Sequence, residues 1–169
     1  MRTIKVIIIT ILMVIPILGY AQQNSSASSP LAYLEKTFPK LTNLYRKELS
    51  KYPAHYIFAI DVSGTMNQYE DMVVNSIVPF FSALPDGDRV DIIPFGTEAL
   101  SPMSYSGIID SQIRNTLCQN IGRLYNDPSY PDGFKGYTNI QGAIEELSKV
   151  LQKNREYRVN VIVVLTDFR

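Results

Sequence analysis

The sequence predicts an α/β fold, a doubly wound, mainly parallel sheet with helices on both faces. Three observations carry that expectation. Residues 56–60 (YIFAI) form a short continuous apolar run, and residues 159–165 (VNVIVVL) form the most hydrophobic strand pattern in the chain; both suit strands buried on two faces. Segments of helical period separate these strands, and alternation of strand with helix implies parallel pairing. With 169 residues, 46% hydrophobic and 19% charged, the chain has the length and composition of one globular domain with a real core.

The first twenty-one residues follow different rules. Arg2 and Lys5 precede an apolar run at 6–18 (VIIITILMVIPIL), and Gly19-Tyr20-Ala21 places small residues two apart before Gln22. This is the three-part pattern of a secretory signal peptide. A membrane anchor is the rival, but the run is interrupted by Pro16 and is shorter than the roughly 20 residues needed to span a bilayer. Residues 1–21 therefore read as a leader cleaved after Ala21, exporting the protein to a periplasm or the exterior with no stable membrane anchor afterwards.

Residues 22–54 read as a linker and an amphipathic helical segment. The polar stretch 22–29 (QQNSSASS) suits a linker. Ser29-Pro30 then supplies a cap and a first-turn proline, ahead of Leu31, Leu34, Phe38, Leu41, Tyr45 and Leu49 at helical spacing. Residues 55–169 read as the α/β domain. After strand 56–60, Val73, Ile77, Phe80, Phe81 and Leu84 mark a helix, and Pro79 in its interior predicts a kink. The turn residues at 84–88 (LPDGD) lead into a strand at 90–95, and a short edge strand is expected within 97–106. Ile109, Ile113, Leu117, Ile121 and Leu124 define the next helix, with Cys118 beside its apolar stripe as a buried small residue. A loop rich in Tyr, Pro, Gly and Asp at 126–137 connects to a third helix using Ile140, Ala143, Ile144, Leu147, Val150 and Leu151. The strand at 159–165 follows.

Composition narrows the function. Lys and Arg total 16 against 16 Asp and Glu, so there is no basic excess to draw the chain onto nucleic acid, and loss of the leader leaves 14 basic residues against 16 acidic. A single cysteine, Cys118, and a single histidine, His55, leave no intrachain disulfide and no Cys/His zinc site. His55 has no sequence partner that suggests catalysis.

Ligands of open parallel sheets bind where strands end. The first strand runs into Asp61-Val62-Ser63-Gly64-Thr65, the last into Thr166-Asp167, and Thr138 stands at the start of the helix before the last strand. Two carboxylates and three hydroxyls are thereby placed to converge. All five are oxygen donors, the set preferred by Mg²⁺, Mn²⁺ and Ca²⁺.

In order and strand context, Asp61-x-Ser63-x-Thr65, Thr138 and Asp167 resemble the metal-ion-dependent adhesion site of von Willebrand factor type A (VWA) domains. The segments YIFAIDVSGTM, LPDGDRVDIIPFG, GYTNIQGAIEEL and IVVLTD extend the resemblance over residues 56–167. The chain departs from the family pattern at Phe168, where glycine is usual. The resemblance implies a VWA/Rossmann-like sheet and binding rather than turnover. Ser63, Thr65 and Thr138 would meet a Mg²⁺ (or Mn²⁺ or Ca²⁺) or its waters through hydroxyls, Asp61 and Asp167 would hold it directly or through water, and an acidic side chain of a protein partner would complete the shell. It also implies a strand order 3-2-1-4-5-6, so that this chain carries a partial domain, incomplete at its C-terminal side, with the strand at 159–165 on an open edge.

Local explanations compete at each position. Thr138 with Gln141 makes a Thr-x-x-Gln capping box, Ser63, Gly64 and Thr65 suit a turn and helix cap, and Asp61 and Asp167 suit solvated strand-end carboxylates. The competing enzyme reading is a haloacid-dehalogenase-like phosphotransferase with Asp61 as nucleophile. Most hydrolases of that kind carry a second Asp where this chain has Ser63. A structural exported protein without metal is the third reading.

Overall fold

The computed structural model describes residues 5–7, 52–102 and 105–167. The linker and helical segment expected at 22–49, the leader beyond residue 7 and Phe168 lie outside the described residues. In chain order the elements are β1 (Lys5–Ile7), β2 (Ala54–Asp61), a 3₁₀ turn (Gly64–Tyr69), α1 (Glu70–Ala83), β3 (Arg89–Phe95), β4 (Ser106–Ile108), α2 (Ser111–Ile121), a second 3₁₀ turn (Leu124–Asn126), α3 (Ile140–Lys153) and β5 (Val159–Leu165).

These strands form one sheet in the order β1-β5-β2-β3-β4. β2 pairs in parallel with β3 and with β5, and β4 closes the far edge antiparallel to Arg89–Asp91. The four strands from β2 onward therefore sit in the spatial order third, second, first, fourth, as the resemblance implies. The expected open edge at β5 is lined over its first half, because Lys5–Ile7 pairs in parallel with Val159, Asn160 and Val161. The edge strand expected within 97–106 falls later, at Ser106–Ile108, with only a single bridge between Phe95 and Ala99 before it.

Both faces of the central strands are covered, for the reason that alternate residues of a strand point opposite ways. Tyr56, Phe58 and Ile60 of β2 join Ile92, Val163, Phe80, Phe81 and Leu117 in the larger core under α1 and α2. Ile57 and Ile93 pack with Ile162 and Val150 on the α3 side, and Ala59 and Phe95 pack with Ala143. Phe80 and Phe81 meet Phe58 edge-on at 5.4 and 5.5 Å, so substitution of any one to alanine would cost about 3–5 kcal/mol.

Helix α1 starts with Glu70 and Asp71, whose charges suit a helix N-terminus, and it runs on through Pro79 to Ala83. Asp110 caps α2 by accepting from the Ile113 amide at 2.7 Å. The helix whose apolar stripe is expected to reach Leu124 ends at Ile121, and a separate 3₁₀ turn carries Leu124 and Tyr125. Cys118 is free and half-buried. In α3 the apolar stripe is narrower than its sequence suggests, since Ile144 is 57% exposed.

Candidate metal centre

Asp61 is the last residue of β2 and is fully buried. Its Oδ1 accepts from the Ser63 amide at 2.9 Å, and its Oδ2 accepts from the Thr138 hydroxyl at 3.1 Å and the Thr166 hydroxyl at 2.6 Å. Ser63 Oγ lies 3.3 Å from both Thr138 Oγ1 and Thr65 Oγ1. Four of the five expected residues, Asp61, Ser63, Thr65 and Thr138, are thus linked in one cluster. Asp167 stands half-buried at the same strand end, directly after Thr166.

The local explanations for the hydroxyls fail on geometry. The cap of α3 is Asn139, whose side chain accepts from the Gly142 amide at 2.8 Å, and Gln141 bonds Glu145 instead of closing a capping box. Thr138 is therefore one residue too early to cap, and its hydroxyl faces Asp61. Ser63 precedes the first 3₁₀ turn but makes no side-chain cap bond; its carbonyl accepts from the Met66 amide at 2.9 Å. Asp61 is no solvated carboxylate, because no part of it is exposed.

Backbone contacts between distant segments fix this arrangement. The Gly64 amide donates to the Lys135 carbonyl at 2.9 Å, the Thr97 amide to the Phe134 carbonyl at 2.7 Å and the Asn139 amide to the Gly96 carbonyl at 2.7 Å. The 126–137 loop is thereby tied to the ends of β2 and β3, which delivers Thr138 to the cluster. Gly96 makes that approach feasible, since a Cβ there would overlap the Phe134 carbonyl oxygen.

Several further residues join the region without a signal in the local sequence. Thr166 directly precedes Asp167, and its hydroxyl donates to Asp61 at 2.6 Å. Glu70 accepts from the Asn126 amide at 3.3 Å on each oxygen. Lys135 donates its ammonium to the Tyr125 carbonyl and reaches Asn67 Oδ1 at 3.4 Å. The Glu70–Asn126 and Lys135–Asn67 contacts join segments 56 and 68 residues apart, the Thr166–Asp61 bond spans 105, and no local pattern announces them.

Among the described residues no three His, Cys, Asp or Glu side chains group as a metal cluster. The constellation is instead rich in hydroxyls, and its chemistry fits a hard divalent cation: oxygen donors only, around a buried carboxylate. Among the described residues no Lys, Arg or His side chain pairs with Asp61. A cavity of about 310 Å³ lies elsewhere, lined by Arg89, Asp91, Ser106, Glu146, Lys149 and Lys153 among others. It belongs to the end of the sheet where the strands start, remote from Asp61.

The chain is thus an α/β domain with a mainly parallel sheet, helices on both faces and a hydroxyl-rich carboxylate cluster at the strand ends. Residues 56–169, more than half of the chain, match the family of the von Willebrand factor type A domain, and the chain belongs to that family. A comparison with curated proteins found no match. Domains of this family mediate protein–protein interactions and are in general not enzymes. Nothing in these comparisons supports the haloacid-dehalogenase reading. Among the described residues no helix is long and apolar enough to cross a membrane.

Proposed function

We propose that this is an exported VWA-type module that engages an acidic group of a protein partner through a divalent cation, Mg²⁺ or Mn²⁺ before Ca²⁺, held by Asp61, Ser63, Thr65, Thr138 and Asp167. The observation that carries the reading is the state of Asp61. A fully buried carboxylate whose partners are two hydroxyls and one amide keeps its negative charge uncompensated by any cationic side chain, and burying an unpaired charge costs several kcal/mol, on the order of the penalty known for single buried ions. A bound cation offsets that cost. Because most of the remaining donors are neutral, the cation would keep net positive charge there and attract an anionic ligand.

Thr138 donates to Asp61 and to Ser63, Ser63 lies 3.3 Å from Thr65, Thr166 holds Asp61 in place, and Asp167 would add the second carboxylate. Calorimetric titration with Mn²⁺ tests the site: the unaltered chain should bind, and Asp61→Ala and Thr138→Ala should each bind more weakly. Unchanged binding in both variants would sink the assignment. Acetate, standing in for a partner carboxylate, should lower the water-proton relaxation enhancement of the Mn²⁺-loaded protein by displacing water; no change would sink the binding mechanism.

Export is the second part of the proposal. Protein recovered from outside the cytoplasm should begin at Gln22, whereas recovery of an intact Met1 from a membrane fraction would refute cleavage. Cleavage there would also remove β1 and bare the first half of the β5 edge.

A further inference from the structure

Tyr125 is the buried polar group that the cluster around Asp61 leaves unexplained. It sits in the Leu124–Asn126 turn, fully buried, and among the described residues its hydroxyl has no hydrogen-bond partner. Buried hydroxyls are paired in the large majority of proteins, and one left unpaired costs about 1–3 kcal/mol. Its two neighbours in the hydroxyl-bearing part of the domain do have partners: Tyr105 bonds Asp127, and Tyr130 donates to the Leu124 carbonyl at 2.5 Å.

The position of the turn points to the occupant. Lys135 ties the Tyr125 carbonyl to Asn67, Asn126 ties the same turn to Glu70, and the Lys135 carbonyl takes the Gly64 amide. The turn therefore rests against the 3₁₀ segment that carries Thr65 and against the first residue of α1. Burial raises the phenol's pKa strongly, and the charges of Asp61 and then Glu70 raise it further. Tyr125 is thus a neutral O–H donor in the field of two carboxylates. Asp61 Oδ1 accepts one amide only and retains capacity for a further donor.

We propose that Tyr125 is a positioning residue of the metal site: its hydroxyl donates to an ordered water that in turn donates to the carboxylates of Asp61 and Glu70. This rests on the metal reading of Asp61. A water so held orients Asp61 from behind and leaves its remaining lone pairs to the cation, and outer-layer partners of this kind are typically worth about 10–100-fold in metal affinity.

The test is Mn²⁺ binding by the full chain and by Tyr125→Phe, Glu70→Gln and the double variant, read by electron paramagnetic resonance of free Mn²⁺, with Asp61→Asn as control. Tyr125→Phe should bind about tenfold more weakly, and Glu70→Gln should bind more weakly as well. The double variant should bind no more weakly than the worse single variant, since both act through one water. If the unaltered chain and Asp61→Asn bind alike, the metal reading itself fails. If Asp61→Asn loses binding and Tyr125→Phe does not, the metal reading stands and the role of Tyr125 is overturned. A fall in the metal-free melting temperature of Tyr125→Phe with unchanged affinity likewise overturns it, as would additive losses in the double variant.

Discussion

Neighbouring strands carry two buried carboxylates, Asp91 near the start of β3 and Asp61 at the end of β2, and the two are treated differently. Where the strands start, Asp91 accepts from Arg89 Nε at 2.8 Å and Nη2 at 3.0 Å, from Ser106, and from Asn154 at 3.5 Å, and it lies 2.6 Å from His55 Nε2. His55 in turn meets Asn160 at 3.2 Å and stacks at a tilt on Tyr157. Where the strands end, Asp61 meets only hydroxyls and an amide. One carboxylate has its cation built in, and the other lacks one. That difference separates a structural network from a candidate binding site more cleanly than burial does, because Asp91 and Asp61 are equally hidden.

The sharpest way to break the comparison is to neutralise each carboxylate with its isosteric amide. Asp91→Asn strands Arg89 and sets an amide against His55, so urea unfolding should show a loss of about 3–5 kcal/mol. Asp61→Asn should lose little stability without metal, because no cationic side chain is left unpaired there. Equal losses at the two positions would erase the distinction.

Acid should undo the Asp91 network in a defined direction. Burial pushes this carboxyl up, but hydrogen bonds from His55, Arg89 and Ser106 and the Arg89 charge outweigh it and hold the pKa below 3.8. A group depressed on folding adds stability that is present above the unfolded value and is lost as pH falls through the folded one. Unfolding free energy measured from pH 5 downward should therefore drop below pH 3.8, and Asp91→Asn should flatten that part of the profile.

Smaller effects follow at the junction that delivers Thr138. Gly96→Ala should cost about 1–3 kcal/mol by forcing the Phe134 carbonyl away, and it should weaken Mn²⁺ binding through displacement of Asn139 and Thr138. Asn139→Ala should cost about 1 kcal/mol as a lost helix cap and leave the gain in melting temperature on adding Mn²⁺ unchanged, whereas Thr138→Ala, which takes a hydroxyl from buried Asp61, should cost about 1–3 kcal/mol and shrink that gain. Thermal melts with and without Mn²⁺ separate the two residues; an undiminished Mn²⁺ gain in Thr138→Ala would leave that hydroxyl outside the site.

What the sequence made legible was whatever depends on local pattern. The run at 56–60 and the run at 159–165 announce buried strands because both faces of β2 and β5 are covered, and β5 has the predicted bounds. The apolar stripe of α3 is legible for the same reason. Thr138 was ambiguous, because a Thr-x-x-Gln spacing fits a cap as well as a site, and only the competing acceptor on Asn139 decides between them. Ile144 was misread, since periodicity does not say how wide a face the sheet covers. Tyr125, Glu70 and Lys135 were illegible because their roles arise from hydrogen bonds between segments far apart in the chain. His55 looked idle for the same reason: its partners lie 36 and 105 residues away.

The central claim, that the buried charge of Asp61 is matched by a divalent cation, is tested most directly by melting the full chain and Asp61→Asn with and without Mn²⁺. A ligand at about 100 times its dissociation constant stabilises the folded state by about 2.7 kcal/mol, which corresponds to a rise of roughly 5–11 °C for a chain of this size class. The account predicts that rise for the unaltered chain and none for Asp61→Asn. An unaltered chain indifferent to Mn²⁺, or an Asp61→Asn variant stabilised to the same degree, would contradict it.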